Sequence, residues 1–227
     1  MIQEIKNDIY AIKERDPAAT SALQVLLLYS GLHAIIYYRI AHFFQRHRWY
    51  FVARFISQTA RFLTGVEIHP GATIGHGLFI DHGSGIVIGE TTQIGDNCTL
   101  YQGVTLGGTG KDKGKRHPTL LDNVMVGSGA KVLGPVVIGN NVKVAAGAVV
   151  LHDIPDDSTA VGVPAHVVSK GKKDPDRDLD QVHIPDPVQQ QICQLTMRLE
   201  AMQRELDDLR ASTSPNSGRK EQDHETV

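Results

Sequence analysis

Residues 68–106 read IHPGATIGHGLFIDHGSGIVIGETTQIGDNCTLYQGVTL, and the spacing of their aliphatic residues decides the fold. An aliphatic residue returns every sixth position at Ile68, Ile74, Ile80 and Ile86; the phase then slips by two and resumes at Ile88, Ile94, Leu100 and Leu106. After a polar interruption the same period returns at Val126, Val132, Ile138, Val144 and Val150, often followed by a small residue, as at Gly75, Gly89, Gly127 and Ala145. Six is neither a helical period nor a strand alternation, so this is an internal repeat. A hexapeptide repeat builds a parallel β-helix: each hexapeptide lays one short strand on one flat side, the aliphatic residue points to the axis, and a coil takes ~18 residues. The competing reading, an antiparallel sandwich, needs turn signals every ~8–12 residues and two-fold alternation.

Outward from the repeat, residues 1–64 read as helical. Ile5, Ile9 and Ile12 share a face; Asp16-Pro17 is expected to cap and open a second helix; Leu23, Leu26, Leu27 and Tyr29 to Tyr38 continue it; and Trp49, Val52, Ile56 and Leu63 mark a third, ended by Gly65. The solenoid is expected over 65–169. It is interrupted once by Gly107-Gly108-Thr109-Gly110-Lys111-Asp112-Lys113-Gly114-Lys115-Arg116-His117-Pro118, which has no aliphatic residue and must leave the coil as a loop. A charged linker is expected over 170–186. Over 187–210, Val188, Ile192, Leu195, Leu199, Met202, Leu206 and Leu209 alternate spacings of four and three, a heptad seam opened by Asp186-Pro187. Residues 211–227 have no apolar period and are expected to be disordered.

The formal net charge of −2 gives no reason to expect nucleic acid or an anionic membrane. Arg39 and the polar residues Gln24, Ser30 and His33 break the apolar run from Leu23 to Phe44 below a membrane-spanning length, and no signal peptide is visible at the start. Cys98 and Cys193 do not form a disulfide framework, and a reduced, cytoplasmic protein is expected.

Aliphatic side chains fill the axis of such a solenoid, so its sites sit outside, where neighbouring solenoids meet. Two polar groups qualify: Asp81-His82 with Glu67 one coil earlier, and Arg116-His117 in the extruded loop. At these residues the chain resembles a known family. The segments EIHPGATIG, GLFIDHGSGIVIGE, TLGGTGK, RHP and AVGVPAHVV, with RDPAA at Arg15 to Ala19, are similar to the serine acetyltransferases, which are left-handed β-helix acyltransferases. The resemblance covers nearly all of residues 9–169, and the pairing of DHGSGIVIGE with GGTGK and RHP is specific to it.

That resemblance implies transfer of acetyl from acetyl-CoA to the hydroxyl of L-serine, giving O-acetylserine for cysteine synthesis, without a metal. His82 matches the general base. Glu67 matches the carboxylate that holds it, where an example of the family carries an aspartate one methylene shorter. Asp16 and Asp81 match the groups holding the substrate ammonium, Arg116 the group for its carboxylate, and His117 a second substrate-binding histidine supplied across a subunit interface. Gly108, Ser128 and Ala146 match the backbone amides that meet the pantetheine arm and thioester; Lys143 is a candidate for a phosphate.

The same scaffold also carries homoserine and sugar O-acetyltransferases, and zinc carbonic anhydrases whose metal takes three histidines at an interface. His82, His117 and either His69 or His76 are the candidates for the last, against which Arg116 stands as a cationic neighbour. The family implies a homotrimer; its better-known members join two trimers through a longer N-terminal region than the 65 residues that precede Val66 here. The heptad helix is expected to clamp one trimer as a parallel coiled coil. The terminal Glu225-Thr226-Val227 resembles the tail by which the family binds O-acetylserine sulfhydrylase.

Overall fold

A computed structural model describes residues 2–110, 113–170 and 187–213. Of the linker expected over 170–186, Lys170 instead ends a strand, and of the tail expected over 211–227, residues 211–213 continue a helix; the rest of both lies outside the described residues. Four helices precede the strands: α1 (Ile2–Arg15), α2 (Ala22–Leu28), α3 (Ser30–Arg46) and α4 (Tyr50–Thr64). Asp16-Pro17 does not open α2. Asp16 N–H still bonds back to Ile12 O, and the helix starts six residues later, where the Ser21 hydroxyl accepts the Gln24 N–H at 3.1 Å. The single helix expected through Tyr29 is broken there, since Tyr29 is extended (φ −89°, ψ 105°) and α2 and α3 meet at 68°. Among the described residues no single helix is long and apolar enough to cross a membrane; α2 and α3 meet the test only as this bent pair.

The strands form a three-sided parallel β-helix. The first side stacks β1 (Glu67–Ile68), β4 (Val87–Ile88), β7 (Thr105–Gly107), β10 (Lys131–Leu133) and β13 (Val149–Val150). The second stacks β2 (Thr73–Ile74), β5 (Gln93–Ile94), β8 (Thr119–Leu120) and β11 (Val137–Ile138). The third stacks β3 (Phe79–Asp81), β6 (Thr99–Tyr101), β9 (Met125–Val126), β12 (Lys143–Val144) and β14 (Ser158–Val161), closed by antiparallel β15 (His166–Lys170).

The six-residue repeat is the cross-section of this prism. Ile68, Ile88, Leu106, Val132 and Val150 lie in register up the first side, Ile74, Ile94, Leu120 and Ile138 up the second, and Ile80, Leu100, Val126, Val144 and Ala160 up the third. Nearly all are buried, and each large one contributes about 1.5–3 kcal/mol to burial of the core. At the corner between the second and third sides Gly77, Asn97, Asn123, Asn141 and Asp157 stack with φ between 53° and 67°. These are the residue types that reach the left-handed region most cheaply.

Helices cover the N-terminal end of the prism, where the first coil would otherwise leave carbonyls unpaired. The Tyr38 hydroxyl donates to Ala72 O and the Ser57 hydroxyl to Ile68 O, both at 2.7 Å. Gly31 lets α3 approach β3, since a Cβ there would lie 2.3 Å from Ile80 O. α1 is tied to α3 by an ionic contact of 2.7 Å from Arg39 Nη1 to the fully buried Asp8. Burial pushes the Asp8 carboxyl up and Arg39 pulls it back, so losing Arg39 alone would strand a buried charge, a defect of about 3–5 kcal/mol.

α5 (Pro187–Thr213) is a separate unit. Its seam residues Ile192, Leu195, Leu199, Met202, Leu206 and Leu209 are between 49% and 66% exposed and form an apolar stripe along the helix.

Candidate functional site

The phase slip in the repeat has a structural cause at the corner between the third and first sides. Val87 pairs with Thr105, eighteen residues on, but Glu67 pairs with Val87, twenty on. Asp81 is in register with Tyr101, and Ser84 accepts from Gly103 N as Gln102 accepts from Gly129 N. Ser84 and Gln102 are therefore equivalent, and the two extra residues are His82 and Gly83. They bulge from the corner. His82 sits in the left-handed region (φ 58°) with its side chain 77% exposed. Gly83 turns the chain back against Val66 and Ile80, where a Cβ would meet Val66 Cγ2 at 2.9 Å.

Around His82 the helices add acid. Asp81 Oδ1 is 3.8 Å from His82 Nε2. Asp16, just past the end of α1, accepts from Ala18 N at 2.8 Å and from the Tyr29 hydroxyl at 2.6 Å. The helix break at Tyr29 is what aims that phenol. Burial raises the Asp81 carboxyl, His82 opposes the rise, and Asp16 adds to it. Burial, Asp16 and Asp81 push the Tyr29 phenol up to about 12, so it remains a donor between two carboxylates. Glu67, on β1, directs Oε2 to Arg61 Nη1 at 3.0 Å.

Ser128 and Ala146 lie further along the same corner, since Gly129 N bonds Gln102 O and Gly147 N bonds Ser128 O, each at 2.8 Å. The N–H groups on either side of each, at Gly127, Gly129, Ala145 and Gly147, are taken up by the coil. Among the described residues, those of Ser128, Ala146 and Gly108 have no recorded acceptor and are open to a ligand. Lys143 is on β12, on the side leading into this corner.

A second cluster occupies the next corner, between the first and second sides. Thr105 pairs with Lys131, 26 residues on, so the loop after β7 adds eight residues to the 18-residue coil. Its return is pinned. Lys115 Nζ donates to Thr91 O at 2.7 Å and to Pro118 O at 3.2 Å, and Arg116 pairs with Glu90. Arg116 N and His117 N donate to Thr91 Oγ1 at 3.0 and 3.1 Å. Thr91 Oγ1 and Thr91 N approach His117 Nδ1 to 2.9 and 3.2 Å. The ring is 8% exposed, and burial, then Arg116, hold its pKa below the ordinary imidazole value. Gly89 gives the ring its seat: a Cβ there would lie 1.9 Å from His117 Cδ2. Gly108 flanks it, where a Cβ would come within 3.0 Å of Nε2.

One chain thus brings Asp16, Asp81 and His82 together, with Ser128 and Ala146 down the same corner, and separately gathers Gly108, Arg116 and His117. The first side separates the two groups; Ser84 to Glu90 spans about 20 Å at ~3.3 Å per residue. Tyr29, Glu90 and Thr91 were not singled out by sequence reasoning. Glu90 follows the repeat motif directly, which was the available signal, while Tyr29 had none. Among the described residues no three His, Cys, Asp or Glu side chains converge where a metal could be held.

Known proteins bear directly on this arrangement. The family model "Serine acetyltransferase, N-terminal" matches residues 1–36, and "Bacterial transferase hexapeptide (six repeats)" matches residues 117–152. The chain is 55% identical over 205 residues to a serine acetyltransferase of Bacillus pumilus, covering 90% of this chain and 94% of that protein. The Neisseria gonorrhoeae serine acetyltransferase in complex with serine superposes with a TM-score of 0.72 at 43% identity, over 74% of this chain and 69% of that one. A serine acetyltransferase in complex with CoA gives 0.70 at 42%, over 74% and 69%.

Proposed function

This chain belongs to the serine acetyltransferase family, and from that premise we propose how its residues carry the reaction. It is an acetyl-CoA-dependent serine O-acetyltransferase, giving O-acetyl-L-serine and free coenzyme A. The role assignments rest on one observation above the others: an exposed imidazole on a two-residue bulge, beside two carboxylates and at the head of a corner with open backbone N–H groups.

Serine binds with its ammonium against Asp16 and Asp81 and its carboxylate against Arg116, whose forked donors suit a carboxylate. His117 of a neighbouring copy supplies a further contact. His82 takes the hydroxyl proton as the serine oxygen attacks the thioester carbon. The tetrahedral intermediate collapses by breaking the C–S bond, and the imidazolium returns its proton to the departing sulfur. Glu67, whose carboxylate also meets Arg61, is given the role of orienting His82 on the family resemblance. Acetyl-CoA lies along the corner of Ser128 and Ala146, meets Gly108 of the next copy, and sets a phosphate near Lys143. A steady-state assay with serine, homoserine and a galactoside tests the acceptor: kcat/KM highest for serine is expected, and a preference for either rival would overturn it.

The minimal unit is a homotrimer, supported by the division of the site between two corners and by the apolar heptad stripe of α5. Three α5 helices form a parallel coil that clamps it, and the tail ending in Val227 binds O-acetylserine sulfhydrylase, linking the product to cysteine synthesis. Two truncations separate these roles. A chain ending at Lys173 should melt at a lower temperature, and unchanged melting would sink the clamp. Removing only the last ten residues should abolish capture of the sulfhydrylase, and undiminished capture would sink the tail. A hexamer mass by light scattering for the full chain would contradict the trimer. The two free thiols support a reducing, cytoplasmic setting, which recovery of the activity outside the cytoplasm would contradict.

A further inference from the structure

We propose that Thr91 is the positioning residue of the second cluster, locking His117 in the tautomer that carries its proton on Nε2. The inference deepens, and rests on, the reading of His117 as a substrate-binding group. A threonine hydroxyl has one proton to give and two lone pairs to fill. Arg116 N–H and His117 N–H both point at Thr91 Oγ1, at 3.0 and 3.1 Å, and a backbone N–H can only donate. The lone pairs are therefore taken, and the hydroxyl proton has His117 Nδ1, 2.9 Å away, as its acceptor. Thr91 N–H also points at Nδ1, at 3.2 Å. Two donors converge on one nitrogen, so that nitrogen is the acceptor and the ring proton sits on Nε2.

The consequence is a division of labour between two histidines. His82 is exposed and free to exchange a proton. His117 is fixed by Thr91 along one edge, and Gly89 and Gly108 leave its ring no slack. Forming the imidazolium would put an Nδ1–H against both Thr91 donors, so the ring stays neutral and acts as a donor. Its depressed pKa accords with this. The partner for Nε2–H is an acceptor oxygen, which we assign to the serine carboxylate that Arg116 binds. One hydroxyl thus sets both the backbone of the Arg116-His117 pair and the direction of its second donor.

The test is ¹⁵N NMR of the histidine rings in the full chain, with His117→Ala identifying the signal, alongside kinetics of Thr91→Val and Thr91→Ser. In the unsubstituted protein the His117 proton is expected on Nε2, persisting below the ordinary imidazole pKa; a proton on Nδ1 overturns the proposal whatever the variants do. Thr91→Val keeps the shape but strands two backbone donors, so the serine KM should rise at least ~10-fold, with the acetyl-CoA KM within ~2-fold. Thr91→Ser keeps the hydroxyl and should restore the serine KM. Thr91→Val with unchanged serine KM, or Thr91→Ser without rescue, overturns it. If Thr91→Val does not fold, the unsubstituted protein and Thr91→Ser still decide. Should His117→Ala leave the serine KM unchanged, the substrate-binding reading fails, and the ring signals still decide the role of Thr91.

Discussion

Replacing His82 by alanine or asparagine is expected to lower kcat by at least ~10²-fold in a protein of unchanged mass and melting temperature. The size follows from the chemistry: a neutral serine hydroxyl is a weak nucleophile, and general-base help is typically worth ~10²–10⁴-fold. The unchanged stability follows from the position. With 77% of its side chain exposed on a bulge, His82 contributes little burial to the core. His82→Asn is the cleaner variant, because the backbone there has φ 58° and asparagine tolerates the left-handed region better than alanine. It retains polar atoms but takes no proton near neutral pH. The loss should fall on kcat, with both Michaelis constants changing little, because proton transfer belongs to the transition state. Near-normal turnover by a folded His82→Asn protein would remove the base from this account.

Two departures from the eighteen-residue coil hold the chemistry; a third, the sixteen-residue spacing from Val144 to Ala160, only shortens the last coil. The first, two residues long, lifts the base off one corner. The second, eight residues long, returns Arg116 and His117 to the next. A regular coil offers a filled axis and flat sides, and neither could hold a substrate. The N-terminal helices supply what the solenoid lacks at the first corner, the Asp16 carboxylate and the phenol that orients it. Both departures are paid for locally, by Gly83 and Gly89 where side chains would collide.

Much of this was legible in the sequence because it is periodic. The six-residue period predicted the three ladders and the glycine- and lysine-rich run predicted the loop, whereas the slip read after Ile86 belongs to two residues that bulge earlier, at His82-Gly83. The resemblance then named the residues around both features. What was not legible is aperiodic and long-range. Thr91 meets His117 because a loop returns across 26 residues, and no local pattern encodes where its hydroxyl points. Tyr29 reaches Asp16 only because the helix breaks at that residue, whereas the apolar spacing continues through it. The Asp16-Pro17 pair looks like a helix start, yet its carboxylate is used for an Asx turn and for Tyr29, and Ser21 takes the capping role.

The central claim is that one chain carries two half-sites, completed only by a neighbour. It is tested most directly by mixing two proteins, each impaired in a different half-site, and assaying them at serine well below KM. His82→Ala and His117→Ala trimers, unfolded together in equal amounts and refolded, form mixed trimers. A working site then needs intact His82 from one copy and intact His117 from the next, which random mixing supplies at about a quarter of the sites. Activity should rise above the level of either parent toward about a quarter of the unsubstituted enzyme. If mixed trimers form, verified by mass, and activity stays at the level of the parents, the site lies within one chain and the account is wrong.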